Sequence, residues 1–250
     1  MDLVESTAFL TDIGKVRSNN EDNGAVLTSS SGTLAFVADG MGGHSAGDVA
    51  SAIALRIMKK NWDELPVSLS AVEAEAFLQE TFVEMNQAIY THAKENKDCE
   101  GMGTTAVAAF CTEDYIAIAH VGDSRLYLVT EEGLKQQTMD HSLVAELVKN
   151  GQLSHEEAED HPRKNIVLRA LGTESVVKVD TETIAADAVR LLMICSDGLS
   201  DKVKDTELAT ELNREDELSQ IAKSLVARAN DRGGEDNISV ALVRFTEELE

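Results

Sequence analysis

The chain has only two prolines in 250 residues, and no Gly/Ser-rich linker or block of like charge divides it. One domain spanning residues 1–250 is therefore expected, and at 43 % hydrophobic it can bury a sizeable core. No stretch approaches the ~20 consecutive apolar residues of a membrane span. The opening MDLVESTAF lacks the basic and apolar regions of a signal peptide, so a cytoplasmic location away from membranes is expected. Cysteine is scarce: Cys99, Cys111 and Cys195 stand far apart and form no C-x-x-C pair, which reads as reduced thiols. Basic residues are outnumbered 22 to 45, giving a formal charge of −23 with no basic cluster. That balance argues against nucleic acid as a partner. A solvated surface accounts for most of the acidity, and bound cations that the formal count omits would match a minority of the acids.

Several catalytic signatures are missing too. A cysteine-dependent phosphatase needs C-x5-R, but the positions six beyond the cysteines hold Thr105, Ala117 and Asp201. No G-x-x-x-x-G-K-[ST] phosphate loop occurs. Gly43-His44-Ser45-Ala46-Gly47 does match the G-x-S-x-G elbow of serine hydrolases, yet the strand pattern before it stops at Ala38. An elbow serine belongs where strand turns directly into helix. Ser45 with Asp48 reads better as an S-x-x-D helix start ahead of Val49 and Ile53.

What is present is an ordered succession of patterns. Thr7–Leu10, Ala25–Thr28 and Leu34–Ala38 read as strands, and Val49, Ile53 and Ile57 recur at helical spacing. A longer helix carries Leu78, Phe82, Met85 and Ile89 on one stripe. Thr104–Cys111, Tyr115–Val121 and Arg125–Val129 are strand-like, and Asp140–Gly172 is polar and partly helical. Strands return at Val176–Ile184 and Val189–Cys195, a helix follows through Leu218, Ile221, Leu225 and Ala229, and Ile238–Phe245 closes the chain as a strand. Strands come in groups without regular β-α-β alternation, which predicts an α+β fold with sheets packed face to face and helices outside.

Aspartates sit at the ends of the most apolar strands. Asp39 follows LAFVA, Asp197 follows LLMICS, Asp123 lies between AIAHVG and SRLYLV, and Asp236 precedes NISVALV. Each alone is most simply a turn residue. Together they gather at one rim if the strands form one sandwich, and two carboxylates 4 Å apart repel by roughly 4 kcal/mol at an effective dielectric near 20. Divalent cations remove that conflict. With no H-x-x-x-H or C-x-x-C spacing nearby, an oxygen-only donor set points to magnesium, manganese or calcium. The glycine after Asp39 would let a backbone carbonyl approach the ion.

Six blocks in order carry a resemblance: Arg17-Ser18-Asn19-Asn20-Glu21-Asp22, Asp39-Gly40-Met41-Gly42-Gly43-His44, Gly103-Thr104-Thr105, Gly122-Asp123-Ser124-Arg125, Ser196-Asp197-Gly198 and Asp236-Asn237. Their order resembles the metal-dependent protein phosphatases, the PPM family or type 2C serine/threonine phosphatases, in their compact bacterial single-domain form. The resemblance implies a four-layer αββα sandwich, two packed mainly antiparallel sheets flanked by helix pairs. It implies hydrolysis of phosphoserine and phosphothreonine in proteins, reversing a serine/threonine kinase. Two Mn2+ or Mg2+ ions per site are implied, with a weaker third.

Carried over by position, Asp39 bridges both ions, Asp197 and Asp236 complete the first site, and the Gly40 carbonyl serves the second. Glu21 and Asp22 hold its waters, and Asp123 with Asp197 matches the weaker third site. Arg17 matches the arginine that grips the substrate phosphate, a task suited to its planar fork; taken alone it would read as half of a surface salt bridge. Animal-type members place a histidine directly after the Asp-Gly pair, where Met41 stands here and can give no proton. His44 either donates a proton to the leaving group, directly or through a water, or braces the glycine loop. Asp140–Gly172 corresponds to the family's flap, with a part in substrate choice. Phosphoprotein substrates, a cognate kinase and a monomeric state follow as expectations. A catalytically silent binding module on the same fold would be marked by loss of a metal-ligand acid, and none of these acids is missing.

Overall fold

The structure, a computed structural model, describes residues 4–43, 46–65, 68–159 and 161–246. In chain order it runs β1 (Val4–Asp12), β2 (Asp22–Ser29), β3 (Gly32–Met41), α1 (Ala46–Asp63), α2 (Ala71–Glu95), β4 (Gly103–Thr104), β5 (Ala106–Cys111), β6 (Tyr115–Val121), β7 (Arg125–Thr130) and β8 (Gly133–Gln136). It continues with α3 (Leu143–Lys149), α4 (His155–Glu159), β9 (Asp180–Ala185), β10 (Leu191–Cys195), α5 (Asp197–Ser200), α6 (Asp205–Leu212), α7 (Leu218–Asp231) and β11 (Ile238–Phe245). One sheet has the order β1-β11-β10-β7-β8 and the other β2-β3-β5-β6-β9, with β4 paired to β3. All the pairings are antiparallel.

The near-continuous apolar strands follow from burial on both faces. In β3, Leu34, Phe36 and Ala38 face α1 and α2, while Ala35 and Val37 point into the layer between the sheets. β10 divides likewise: Met193 and Cys195 meet α6 and α7, whereas Leu192 and Ile194 meet the opposite sheet. Alternation of period two thus distributes one apolar run between two cores. Helix α2 starts at a capping box, with Ser70 accepting from Glu73 N–H and Glu73 accepting from Ser70 N–H. Between α1 and the sheet, Trp62 meets Phe110 edge to face with centroids 5.2 Å apart, and burying such a ring is worth about 2–3 kcal/mol. The result is the expected αββα layering. Among the described residues no helix is long and apolar enough to cross a membrane.

Three details differ from the sequence reading. β3 does not stop at Ala38, because Gly40 and Met41 pair with Thr104 and Gly103 of β4; Asp39 is therefore inside a strand. The strand read from Val176 begins only at Asp180, and Val176 is exposed. Helix α6 had no strong apolar stripe to announce it, since only Leu208 and Leu212 of DTELATEL supply buried apolar side chains.

Antiparallel pairing decides where the acids lie. The start of β2 and the ends of β3 and β6 share one rim, since Asp22 pairs with Asp39 and Ala106 with Val121. In the other sheet the end of β10 meets the starts of β7 and β11, through Cys195–Arg125 and Cys195–Val240. The chain changes sheets between β6 and β7 at Gly122–Ser124, with Gly122 at φ +109. That left-handed turn is open to glycine, and a Cβ there would press within 2.6 Å of Thr105 Cγ2.

Candidate metal centre

Asp39 sits at the middle of the rim. Its N–H donates to Thr105 Oγ1 at 3.1 Å, and its carbonyl accepts from Thr105 N–H and Thr104 Oγ1, both at 2.8 Å. Thr105 Oγ1 is in turn 2.8 Å from Ser124 Oγ, which ties β3 to the turn that carries Asp123. Burial, and then Asp22, Asp197, Asp123 and Asp236, push the Asp39 carboxyl well above the usual carboxylate range. The side chains of Asp39 and Asp197 share a hydrogen bond.

The neighbours feel the same crowding. Burial raises Asp22 to about 7 against the hydrogen bonds it accepts from Ser239 and Ser196, with Asp197 and Asp236 adding to the rise. Ser196 Oγ lies 2.8 Å from Asp22 Oδ2. Asp123, almost fully enclosed, is raised to about 7 by burial and then by Asp197 and Asp140. Asp197, at the start of α5, is raised to about 6 by burial and then by Asp236 and Asp201. Glu21 is raised by burial, with Asp48 and Asp236 adding to this and Arg17 opposing it.

Gly40 lets backbones meet at this point. Its N–H donates to Glu21 O at 3.1 Å, and a Cβ in its place would collide with the Gly47 carbonyl and lie 2.7 Å from Glu21 O. The glycines of this stretch thus let the start of α1 pack onto the end of β3. His44 and Ser45 lie outside the described residues.

Arg17 lies half exposed on the loop between β1 and β2, where Nη2 donates to Asp236 Oδ2 at 2.7 Å. Burial opposes its charge, but Asp236, Glu21 and Asp39 together raise its pKa. The salt bridge that the bland reading anticipated is therefore real, and its partner is one of the clustered acids.

The residues fit hard divalent cations on two observations. Asp22 Oδ1 and Asp197 Oδ1 are buried without a hydrogen-bond partner, and such orphaned acceptors are costly unless a cation meets them. The gathered side chains are also all oxygen donors, as magnesium and manganese require.

A second cluster was not legible in the sequence. Ligand atoms of His120, His141 and Asp180 lie within 4.8 Å of one another, and the two rings stack with centroids 4.5 Å apart. Metal is not what this cluster suits. Asp180 already faces Arg169 at 2.9 Å and Lys178 at 3.1 Å. His141 Nδ1 accepts from Gly122 N–H at 3.0 Å, and Nε2 is already faced by Arg169 Nη1 at 2.9 Å and Asp180 Oδ2 at 3.2 Å. His141 N–H also donates to Gly122 O at 2.9 Å, so this histidine clasps the turn before Asp123 from both sides.

The segment spanning residues 140–172 contains α3 and α4 and is tied down at both ends. Asp140 receives a forked pair of bonds from Arg125, 3.0 Å from Nε and 2.8 Å from Nη2. Leu171 exchanges backbone bonds with Thr104. Thr105, Ser124, Ser196 and Asn237 lie within the motifs, and their supporting contacts were not legible in the sequence. Thr105, Ser196 and Asn237 hold the backbone or carboxyl of an acid-bearing segment, and Ser124 bonds the Thr105 hydroxyl.

The protein phosphatase 2C family model matches residues 15–243 of this chain. The chain belongs to that family. The serine/threonine phosphatase stp of Listeria monocytogenes is 47 % identical over 94 % of each chain. The crystal structure of the serine/threonine phosphatase Stp1 from Staphylococcus aureus superposes with a TM-score of 0.92 at 35 % identity, covering 98 % of each chain. The catalytic domain of the phosphatase PstP, crystallised with two manganese ions, gives 0.85 at 34 % identity over 98 % of this chain and all of that one. These are proteins this phosphatase is similar to in sequence and in fold.

Proposed function

We propose that the acid-lined rim is the active centre at which this phosphatase removes phosphate from phosphoserine and phosphothreonine in proteins. The observation that carries the reading is the convergence of Asp22, Asp39, Asp123, Asp197 and Asp236 from separate strand ends, with Arg17 beside them. Asp39, the Gly40 carbonyl, Asp197 and Asp236 would hold two Mn2+ or Mg2+ ions. Glu21 and Asp22 would hold their waters, and Asp123 with Asp197 a weaker third ion. Bound there, such ions lower the pKa of water and neutralise charge on a phosphoryl group.

The chain's own residues do the rest. Ser196 orients the Asp22 carboxyl, and Thr104 and Thr105 hold the backbone of Asp39. Arg17 turns its fork to the phosphoryl oxygens, where preorganised donors stabilise charge without rearrangement. Dephosphorylation of this kind opposes a serine/threonine kinase, and a soluble cytoplasmic monomer of one catalytic domain completes the reading.

The test is phosphate release from a phosphothreonine peptide and from an autophosphorylated serine/threonine kinase. Release from both should stop after chelation and return with Mn2+, while a serine-reactive fluorophosphonate has no effect. Activity that survives exhaustive chelation sinks the metal reading. The flap, residues 140–172, selects among protein substrates in this reading. Exchanging it for a relative's flap should shift the preference between phosphopeptides, and an unchanged ranking would count against that role.

A further inference from the structure

Asn237 is buried just ahead of β11. Its side chain makes three hydrogen bonds, all to the backbone of the 13–21 loop. Nδ2 donates to Ile13 O at 2.9 Å and to Asn19 O at 3.0 Å, and Oδ1 accepts from Glu21 N–H at 2.7 Å. Both donors of the amide are thus used, and its carbonyl oxygen has a partner. These contacts fall at the beginning and the end of the loop, and Arg17 lies between them.

The adjoining backbone adds a second line of contact. Gly234 O accepts from Lys15 N–H at 2.7 Å and from Val16 N–H at 3.2 Å. Gly14 has φ +80, and a Cβ there would collide with the Asp236 carbonyl and stand 2.7 Å from Gly234 O. The loop backbone therefore lies directly on the segment that carries Asp236. It has no helix or strand of its own to stiffen it.

We propose that Asn237 is a positioning residue for phosphate capture. It fixes the 13–21 loop to the strand start that carries Asp236, so that the Arg17 guanidinium meets a phosphoryl group at a set place beside the acids. A long, flexible side chain on a free loop loses more entropy on binding than one on an anchored loop. The inference rests on the phosphate role given to Arg17 above.

The experiment measures inhibition of the full-length, Mn2+-loaded enzyme by inorganic phosphate, with Asn237→Ala placed in the wild-type and Arg17→Ala backgrounds. In the wild-type background the inhibition constant should weaken about tenfold, the size expected for losing a set of buried hydrogen bonds. In the Arg17→Ala background the same change should weaken it by less than about twofold, because the two residues act as one unit. Calorimetric Mn2+ affinity should stay within about threefold. Gly14→Ala pushes the loop off the same segment at a different contact and should give the same Arg17-dependent loss, which keeps the test alive if Asn237→Ala does not fold.

Equal losses in both backgrounds, or a fall in Mn2+ affinity as large as the fall in phosphate affinity, would overturn this inference alone. Unchanged inhibition in Arg17→Ala by itself would remove the phosphate role of Arg17, and this inference with it.

Discussion

Asp39→Asn should cut Mn2+-dependent phosphate release by at least ~10³-fold, about 4 kcal/mol of lost transition-state stabilisation, while making the metal-stripped protein more stable. Both effects have one cause. Asp39 faces Asp22 directly across the β2–β3 pair and lies within electrostatic reach of Asp197, Asp123 and Asp236. An amide at this place preserves shape and most of the hydrogen bonding but removes the negative charge that a pair of cations requires. The same deletion relieves repulsion in the stripped protein, where like charges opposite each other on a sheet are destabilising. At neutral pH its melting temperature should rise by a few degrees, at roughly 2–4 °C per kcal/mol for a chain of this size. Phosphopeptide turnover and a thermal melt of the chelated protein check both halves. Retained turnover, or a lower melting point, would contradict the assignment.

The second large effect is an inverted dependence of stability on pH. Asp22 and Asp123 sit near 7 and Asp197 near 6 in the folded chain, and Asp39 is also raised well above its ordinary value. In the unfolded chain each returns to about 4. Between about pH 4 and 7 the folded state therefore binds more protons than the unfolded state, and its stability falls as pH rises through that window. His141, pushed down to about 4 by burial, His120 and Arg169, pulls the other way below about 6.5, as does the lowered His120.

Four carboxyls outweigh two imidazoles. The metal-stripped protein should accordingly resist urea better at pH 5 than at pH 7.5, by a margin of a few kcal/mol. Saturating Mn2+ at pH 7.5 should reverse the order, because each site filled at a hundredfold excess over its Kd adds about 2.7 kcal/mol. Urea midpoints at both pH values, with and without Mn2+, give the readout. A chelated protein that is more stable at pH 7.5 would mean the acids are not crowded together as described.

Much of this was legible in the residues. Apolar strands ending in aspartate, with glycine close by, pointed to a rim, and the ordered motifs gave that rim a family. Pairing partners were not legible. Nothing in LAFVADGM says that its last residues meet Gly103-Thr104, and so the strand outran the pattern that announced it. Nor does AIAHVGDSRLYLV reveal that its halves lie in different sheets, since a tight turn and a sheet-to-sheet crossing use the same turn residues. The histidine cluster joins residues far apart in sequence, at positions 120, 141 and 180, and had no spacing to betray it. VVKV before Asp180 shows the reverse error, where β-branched composition outvoted an absent partner strand.

The alternation of strand direction has a practical corollary at the far end of the sandwich. The connections around Ser30, Glu113–Asp114 and Glu131–Glu132 are exposed and lie at strand ends opposite the acids. A reporter dye or an affinity handle built into one of those bends would sit a full strand length from the chemistry, which makes them the natural attachment points for following this enzyme as it works.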